Sequence, residues 1–120
     1  MMINYEPFHQ EAVLHLLSHL PTVQKGVPVQ QILSAYEVLP ERRLYVWKHN
    51  EEVVGAIGIQ KQQQTFAVHH IAVHPSFRNQ GIGSSLVHAV QEKHIPQATC
   101  STHATKNFLE KCWQKQSLFS

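Results

Sequence analysis

The stretch that most constrains this chain runs from Thr65 to Val90, where two kinds of periodicity meet across a short polar loop. Residues 65–73 are apolar and β-branched, bounded by turn residues, as a strand requires. His74-Pro75-Ser76-Phe77 follows, then Arg78-Asn79-Gln80-Gly81-Ile82-Gly83. Beyond it, Ile82, Leu86, Val87 and Val90 recur at helical spacing. A buried strand passing through a tight loop into an amphipathic helix implies a helix laid back on a sheet.

The flanking sequence extends that unit into a mixed layer. Residues 3–6 read as a first strand ended by Pro7. Ala12, Val13, Leu16, Leu17 and Leu20 mark a helix over residues 9–20, with Pro21 as its stop and residues 22–28 as a connector. Val29, Ile32, Leu33, Tyr36 and Leu39 mark a second helix, closed by Pro40. Residues 43–48 and 53–60 form a predicted hairpin around the polar turn 49–52, and a turn at 61–64 leads into the strand at 65–73. A helix is expected over 82–94, a strand parallel to the preceding one over 98–101, and a last helix over 107–116. Leu118-Phe119 reads as the start of a final strand. The order β-α-α-β-β-β-α-β-α predicts an α/β fold: one mixed, mostly antiparallel central sheet flanked by helices, with a shortened C-terminus.

With 120 residues, 42% of them apolar and 15% charged, the chain suits one domain (1–120) with one core. A formal net charge of +2 is too small to argue for nucleic acid or an anionic membrane as partner. No apolar run approaches the roughly 20 residues of a membrane span. The N-terminus lacks the basic and apolar regions of an export signal, so a cytoplasmic location is expected, with Cys100 and Cys112 as free thiols. The ten histidines fall in no zinc-binding spacing, and no metal is expected.

The loop at 78–83 suits a phosphate. Unpaired backbone N–H groups converge at a helix N-terminus, and the helix dipole adds about half a positive charge there. Gly81 and Gly83 leave the backbone approachable, Arg78 supplies a cation, and Ser84 and Ser85 extend the polar lip. A lone glycine pair also fits a plain turn or close helix packing. The chain has neither GxxxxGK[ST] nor the three-glycine dinucleotide fingerprint.

The run Ile71-Ala72-Val73-His74-Pro75-Ser76-Phe77-Arg78-Asn79-Gln80-Gly81-Ile82-Gly83-Ser84-Ser85-Leu86 closely resembles motif A of the GCN5-related N-acetyltransferases (GNAT family), [R/Q]-x-x-G-x-[G/A] after a strand ending in V-x-P. The order of elements around it is similar to the family's along nearly the whole chain. Trp47-Lys48, Val54-Gly55-Ala56-Ile57-Gly58 and the short length resemble the acetyltransferase-like proteins of riboflavin operons. The resemblance implies acetyl-CoA as acetyl donor. Ile71, Ala72 and Val73 would pair with the pantetheine arm as an added strand. The amides of Asn79, Gln80, Gly81, Ile82, Gly83 and Ser84 would cradle the pyrophosphate, with Arg78 beside it. The thioester would lie where the fourth and fifth strands splay, expected near Val73 and Ala98.

Alternation along the strand puts Ala67, His69, Ile71 and Val73 on one side and His70 on the other. His69 is therefore the candidate base for an attacking amine; it also fits a strand histidine without a role. Asn107-Phe108-Leu109-Glu110-Lys111-Cys112-Trp113-Gln114 resembles the family's last-helix segment N-x-x-A-x-x-F-Y. Asn107 matches and would contact the pantetheine or phosphate region. Gln114 stands where the resemblance implies a thiolate-protonating tyrosine, and glutamine cannot act as an acid. These observations predict an N-acetyltransferase for a small-molecule amine, as a monomer or homodimer. The alternative is a catalytically weak CoA-binding sensor or interaction module.

Overall fold

The computed structural model describes residues 1–119, with side chains described to Cys112. Five strands, β1 (Met2–Asn4), β2 (Arg42–His49), β3 (Glu52–Lys61), β4 (Thr65–Val73) and β5 (Ala98–Ser101), form one sheet in the order β1-β2-β3-β4-β5. The first four pair antiparallel and β4–β5 is parallel. The hairpin between β2 and β3 is tighter than the expected four-residue turn. His49 pairs with Glu52, so only Asn50 and Glu51 make the loop, at φ 49° and 69°. Positive φ at both positions matches the right-handed twist of the strands.

Five helices flank the sheet: α1 (Gln10–Leu17), α2 (Pro21–Gln24), α3 (Val29–Val38), α4 (Ile82–Lys93) and α5 (Lys106–Phe119). Pro21 does not merely stop the first helix; it opens the short α2, because the first helical position needs no N–H, the donor that proline lacks. Leu118 and Phe119, read from sequence as a strand, continue α5. Leu86, Val87, Val90 and Leu109 pack with Ile57, Ile59 and Phe66 on one face of the sheet. Val13, Leu16 and Leu33 pack with Val46 and Ala56 on the other. Burying each such side chain contributes about 1.5–3 kcal/mol, so both helical layers are held to the sheet chiefly by this apolar contact.

One irregularity changes the predicted faces of β4. Gly58 pairs with His70 while Ile59 pairs with Val68, leaving His69 as an extra residue in a β-bulge. Phe66 and Val68 therefore share the α4 side with Ile71 and Val73, whereas His70 and Ala72 face the α1–α3 side. The expected alternation breaks at His69. Its described neighbours are His70, with ring centroids 6.2 Å apart, and the Arg42 charge, so it does not share the face of Ile71 and Val73.

Candidate functional site

Pairing between β4 and β5 runs only from Thr65–Ala98 to Val68–Ser101. The strands part beyond Val68, and Ala98 lies at the paired end, not in the gap where the sequence placed it. On the β5 side, Ile71, Ala72 and Val73 have no strand partner. They form part of a cleft of about 420 Å³ that continues through the loop to the first turn of α4.

The loop's geometry follows from its residues. Pro75 opens a 3-10 turn over Pro75–Phe77, and His74 Nδ1 accepts the Ser76 N–H at 3.1 Å. Asn79 (φ 66°) and Gly81 (φ 80°) then take left-handed conformations, which asparagine tolerates and glycine adopts without a Cβ penalty. Gly81 caps α4, whose first amide bond runs from Ser85 N to Gly81 O at 2.9 Å, and no side chain caps the helix. The N–H groups of Ile82, Gly83 and Ser84 precede that bond and have no carbonyl within the helix to receive them. Left-handed residues beside a helix N-terminus make a concave set of donors for an anion. Arg78 donates from Nε to Val73 O at 3.2 Å, which ties its guanidinium across the mouth of the loop.

Gly83 plays a different part from Gly81. A β-carbon at 83 would stand 2.6 Å from Cζ of Phe108, so its absence lets α5 lay that ring on α4. A β-carbon at 81 would meet nothing within 4 Å, and there the positive φ is what calls for glycine.

Ile71, Ala72, Val73, Arg78, Asn79, Gly81, Ile82, Gly83 and Ser84 are thus brought together in one cleft. Gln80, Asn107 and His69 do not line the cleft. His19, Leu20, Pro21, Phe77 and Phe108 do, and sequence reasoning did not find them. Phe108 carried a signal, as the neighbour of Asn107. His19 to Pro21 come from a distant segment and carried none.

His69 sits just past the last β4–β5 pair, at the throat of the gap. Burial lowers its pKa from the ordinary 6.5, with the Arg42 charge adding to the effect, so the ring is neutral at pH 7. His70 is pushed down to about 4 by burial, then by His69 and Arg42. Burial raises the Tyr36 pKa, so its hydroxyl keeps its proton, and it shares a hydrogen bond of 2.5 Å with His70 Nδ1. Gly58 makes room for this contact, since a β-carbon there would fall on the Tyr36 hydroxyl. Arg42 lies 5.4 Å over the same tyrosine ring and donates to Gln60 Oε1 at 2.9 Å.

Cys112 is a buried core thiol whose sulfur lies 3.5 Å from Ser84 Oγ, and Cys100 is half-buried and also unpaired. Thr105 donates to Val68 O at 2.7 Å, anchoring the approach to α5 at the last paired residue of β4. The side chains of Trp113 and Gln114 lie outside the described residues. Among the described residues, no group of three or more His, Cys, Asp or Glu is placed to hold a metal ion. No helix among them is long and apolar enough to cross a membrane.

Residues 10–112 match the Acetyltransferase (GNAT) family. The chain is 34% identical over 113 residues to an uncharacterized N-acetyltransferase in the lysA 3' region of Bacillus methanolicus, covering 93% of this chain and 94% of that protein. Its fold is similar to a ribosomal-protein-alanine N-acetyltransferase from Brucella melitensis (TM-score 0.76, 14% identity, 95% of this chain and 89% of that one). It is also similar to an aminoglycoside 6'-N-acetyltransferase complexed with coenzyme A, at TM-score 0.66 and 21% identity. That match covers 78% of this chain but 54% of the other, so the chain spans about half that enzyme's length. The chain belongs to the GNAT acetyltransferase family, whose acetyl donor is acetyl-CoA. The unbonded amides at the start of α4 and the unpaired stretch of β4 suit a pyrophosphate and an extended amide-bearing arm, respectively.

Proposed function

We propose that this chain is an acetyl-CoA-dependent N-acetyltransferase that passes the acetyl group to the amine of a small molecule by direct attack. The observation that carries this reading is the gap between β4 and β5. It opens at His69, exposes the backbone edge of Ile71 to Val73, and leads straight to the donors of the α4 N-terminus.

The thioester supplies an activated acetyl carbonyl; the chain's own groups bind, orient and move the proton. Amides from Asn79 to Ser84 hold the pyrophosphate, with Arg78 adding a cation. Ile71, Ala72 and Val73 pair with the pantetheine arm. His69, neutral at pH 7 and beside the throat of the gap rather than within the cleft lining, accepts the proton of an amine that approaches from its side, because only an unprotonated amine carries a free lone pair. A backbone N–H near Val73 stabilises the developing oxyanion.

The likeness of the β2–β3 hairpin to riboflavin-operon proteins makes amine-bearing flavin precursors the first acceptors to try. The test pairs calorimetry of acetyl-CoA binding with CoA release across a panel of small amines that includes them. Binding with turnover on at least one amine supports the reading. Tight binding without turnover on any amine points to a sensor, and absence of binding sinks both.

A further inference from the structure

The chain has a second cleft, of about 590 Å³, at the other end of α4 from the loop. Arg42 and Arg43 enter it from the start of β2, Lys61 from the end of β3, and Lys93 and His94 from the end of α4. Glu6 is the one carboxylate lining it. The whole chain has ten Lys and Arg against eight Asp and Glu. This cleft takes four of the former and one of the latter, which leaves six against seven elsewhere. The chain's positive excess is therefore gathered here.

A surface that only needed solvation would spread its charges or pair them. Among the described residues, the one ion pair is Lys48–Glu51, and it lies elsewhere. Local contacts fix three of the four cations of the cleft in place. Arg43 donates from Nη1 to the carbonyls of Pro40 and Arg42, and Arg42 is held by Gln60 and the Tyr36 ring. Lys93 Nζ stands 5.8 Å from the Tyr45 ring centroid, and the Tyr45 hydroxyl lies 2.8 Å from His94 Nε2. Burial lowers the His94 pKa, and the charges of Lys61, Lys93 and Arg43 lower it further, as expected where cations outnumber the carboxylates around them. Lys93 also suits the negative end of the helix dipole, but that does not account for the two arginines or Lys61.

We propose that this cleft is a second anion site, separate from the acetyl-CoA cleft, which takes a small polyanion bearing at least two phosphate groups. A single phosphate is met well by one or two cations; four from three elements match a larger, multiply charged group. The 12-residue α4 keeps the two sites about 18 Å apart, by the 1.5 Å rise per residue.

Inorganic pyrophosphate is the probe, titrated into the full chain at low ionic strength and saturating CoA, with calorimetry and the His94 ring resonances as readouts. Saturable binding that moves the His94 resonances is expected. Lys61→Gln with Lys93→Gln should weaken it by roughly 100-fold, since each lost charge-assisted contact is worth about tenfold. Circular dichroism confirms folding of the variant, and Lys61→Arg with Lys93→Arg should retain the affinity. Absence of binding at millimolar pyrophosphate, or binding indifferent to the Gln pair, overturns the proposal. So does binding that appears only when CoA is omitted, which would place pyrophosphate in the first cleft. A single-stranded oligonucleotide that binds here and is not displaced by pyrophosphate would also overturn it, in favour of an extended surface.

Discussion

The ring of Phe108 lies 2.6 Å from the point where a β-carbon on Gly83 would stand. The second residue of α4 is therefore glycine because α5 lays an aromatic ring on it, and that ring forms one wall of the cleft proposed for acetyl-CoA. Alanine at this position would gain about 1 kcal/mol of helix propensity but must displace the ring. Gly83→Ala is expected to lower stability in the native background and to raise it, by up to about 1 kcal/mol, in Phe108→Ala. Urea denaturation of the four proteins measures the cycle; the same sign in both backgrounds would show that the ring is not the obstacle.

His69 should govern the acid limb of the rate profile. Its pKa is lowered by burial and by Arg42, so the required neutral form persists to lower pH than for an ordinary histidine. The rate attributable to this base should be level near pH 7 and fall only below about 6.5, the ordinary histidine value. Arg42→Gln should move that inflection upward. His69→Ala should lower kcat by roughly 100-fold or more, as loss of a general base does, and spare acetyl-CoA affinity. Unchanged kinetics would make it a strand histidine without a role.

His70 should set part of the pH dependence of stability. Its folded pKa of about 4 lies below the unfolded value of 6.5, so between these the unfolded chain binds a proton that the folded chain refuses. The contribution is fully present above pH 6.5 and is lost as pH falls toward 4, on the order of 3 kcal/mol. His70→Gln keeps a hydrogen-bond partner for the Tyr36 hydroxyl while removing the titration. Its stability should vary less between pH 7 and 4.5, as measured by urea midpoints.

Gln114 occupies the position where the family resemblance implies an acidic tyrosine. If protonation of the departing thiolate limits the native chain, Gln114→Tyr should raise kcat with little change in acetyl-CoA affinity. Steady-state CoA release reads this directly, and an unaltered kcat would place the slow step elsewhere.

Much of this architecture was legible in the sequence because periodicity reports burial. β4 and β5 fall on the residues the pattern picked out, and the apolar stripe of Ile82, Leu86, Val87 and Val90 marks the helix that carries the loop. The loop could be read because Gly81 meets a backbone demand local to the sequence, a φ of 80°. The faces of β4 could not, since a bulge depends on register with β3 and leaves no mark in the alternation of residues 65–73. For the same reason the throat of the gap was misplaced: where β5 stops pairing is decided between strands. The wall formed by His19, Leu20, Pro21 and Phe108 arises from tertiary packing of separate helical segments.

The central claim is that the left-handed turn at Gly81 and the amides after it hold acetyl-CoA. Calorimetric titration with acetyl-CoA of the native chain and of Gly81→Val tests it most directly, because a β-branched residue is strained at φ 80° although nothing lies within 4 Å of its β-carbon. The expected result is saturable one-to-one binding to the native chain, and loss of that binding in a variant that remains folded by circular dichroism. Equal affinity in the two proteins, or no binding to the native chain, would contradict the account.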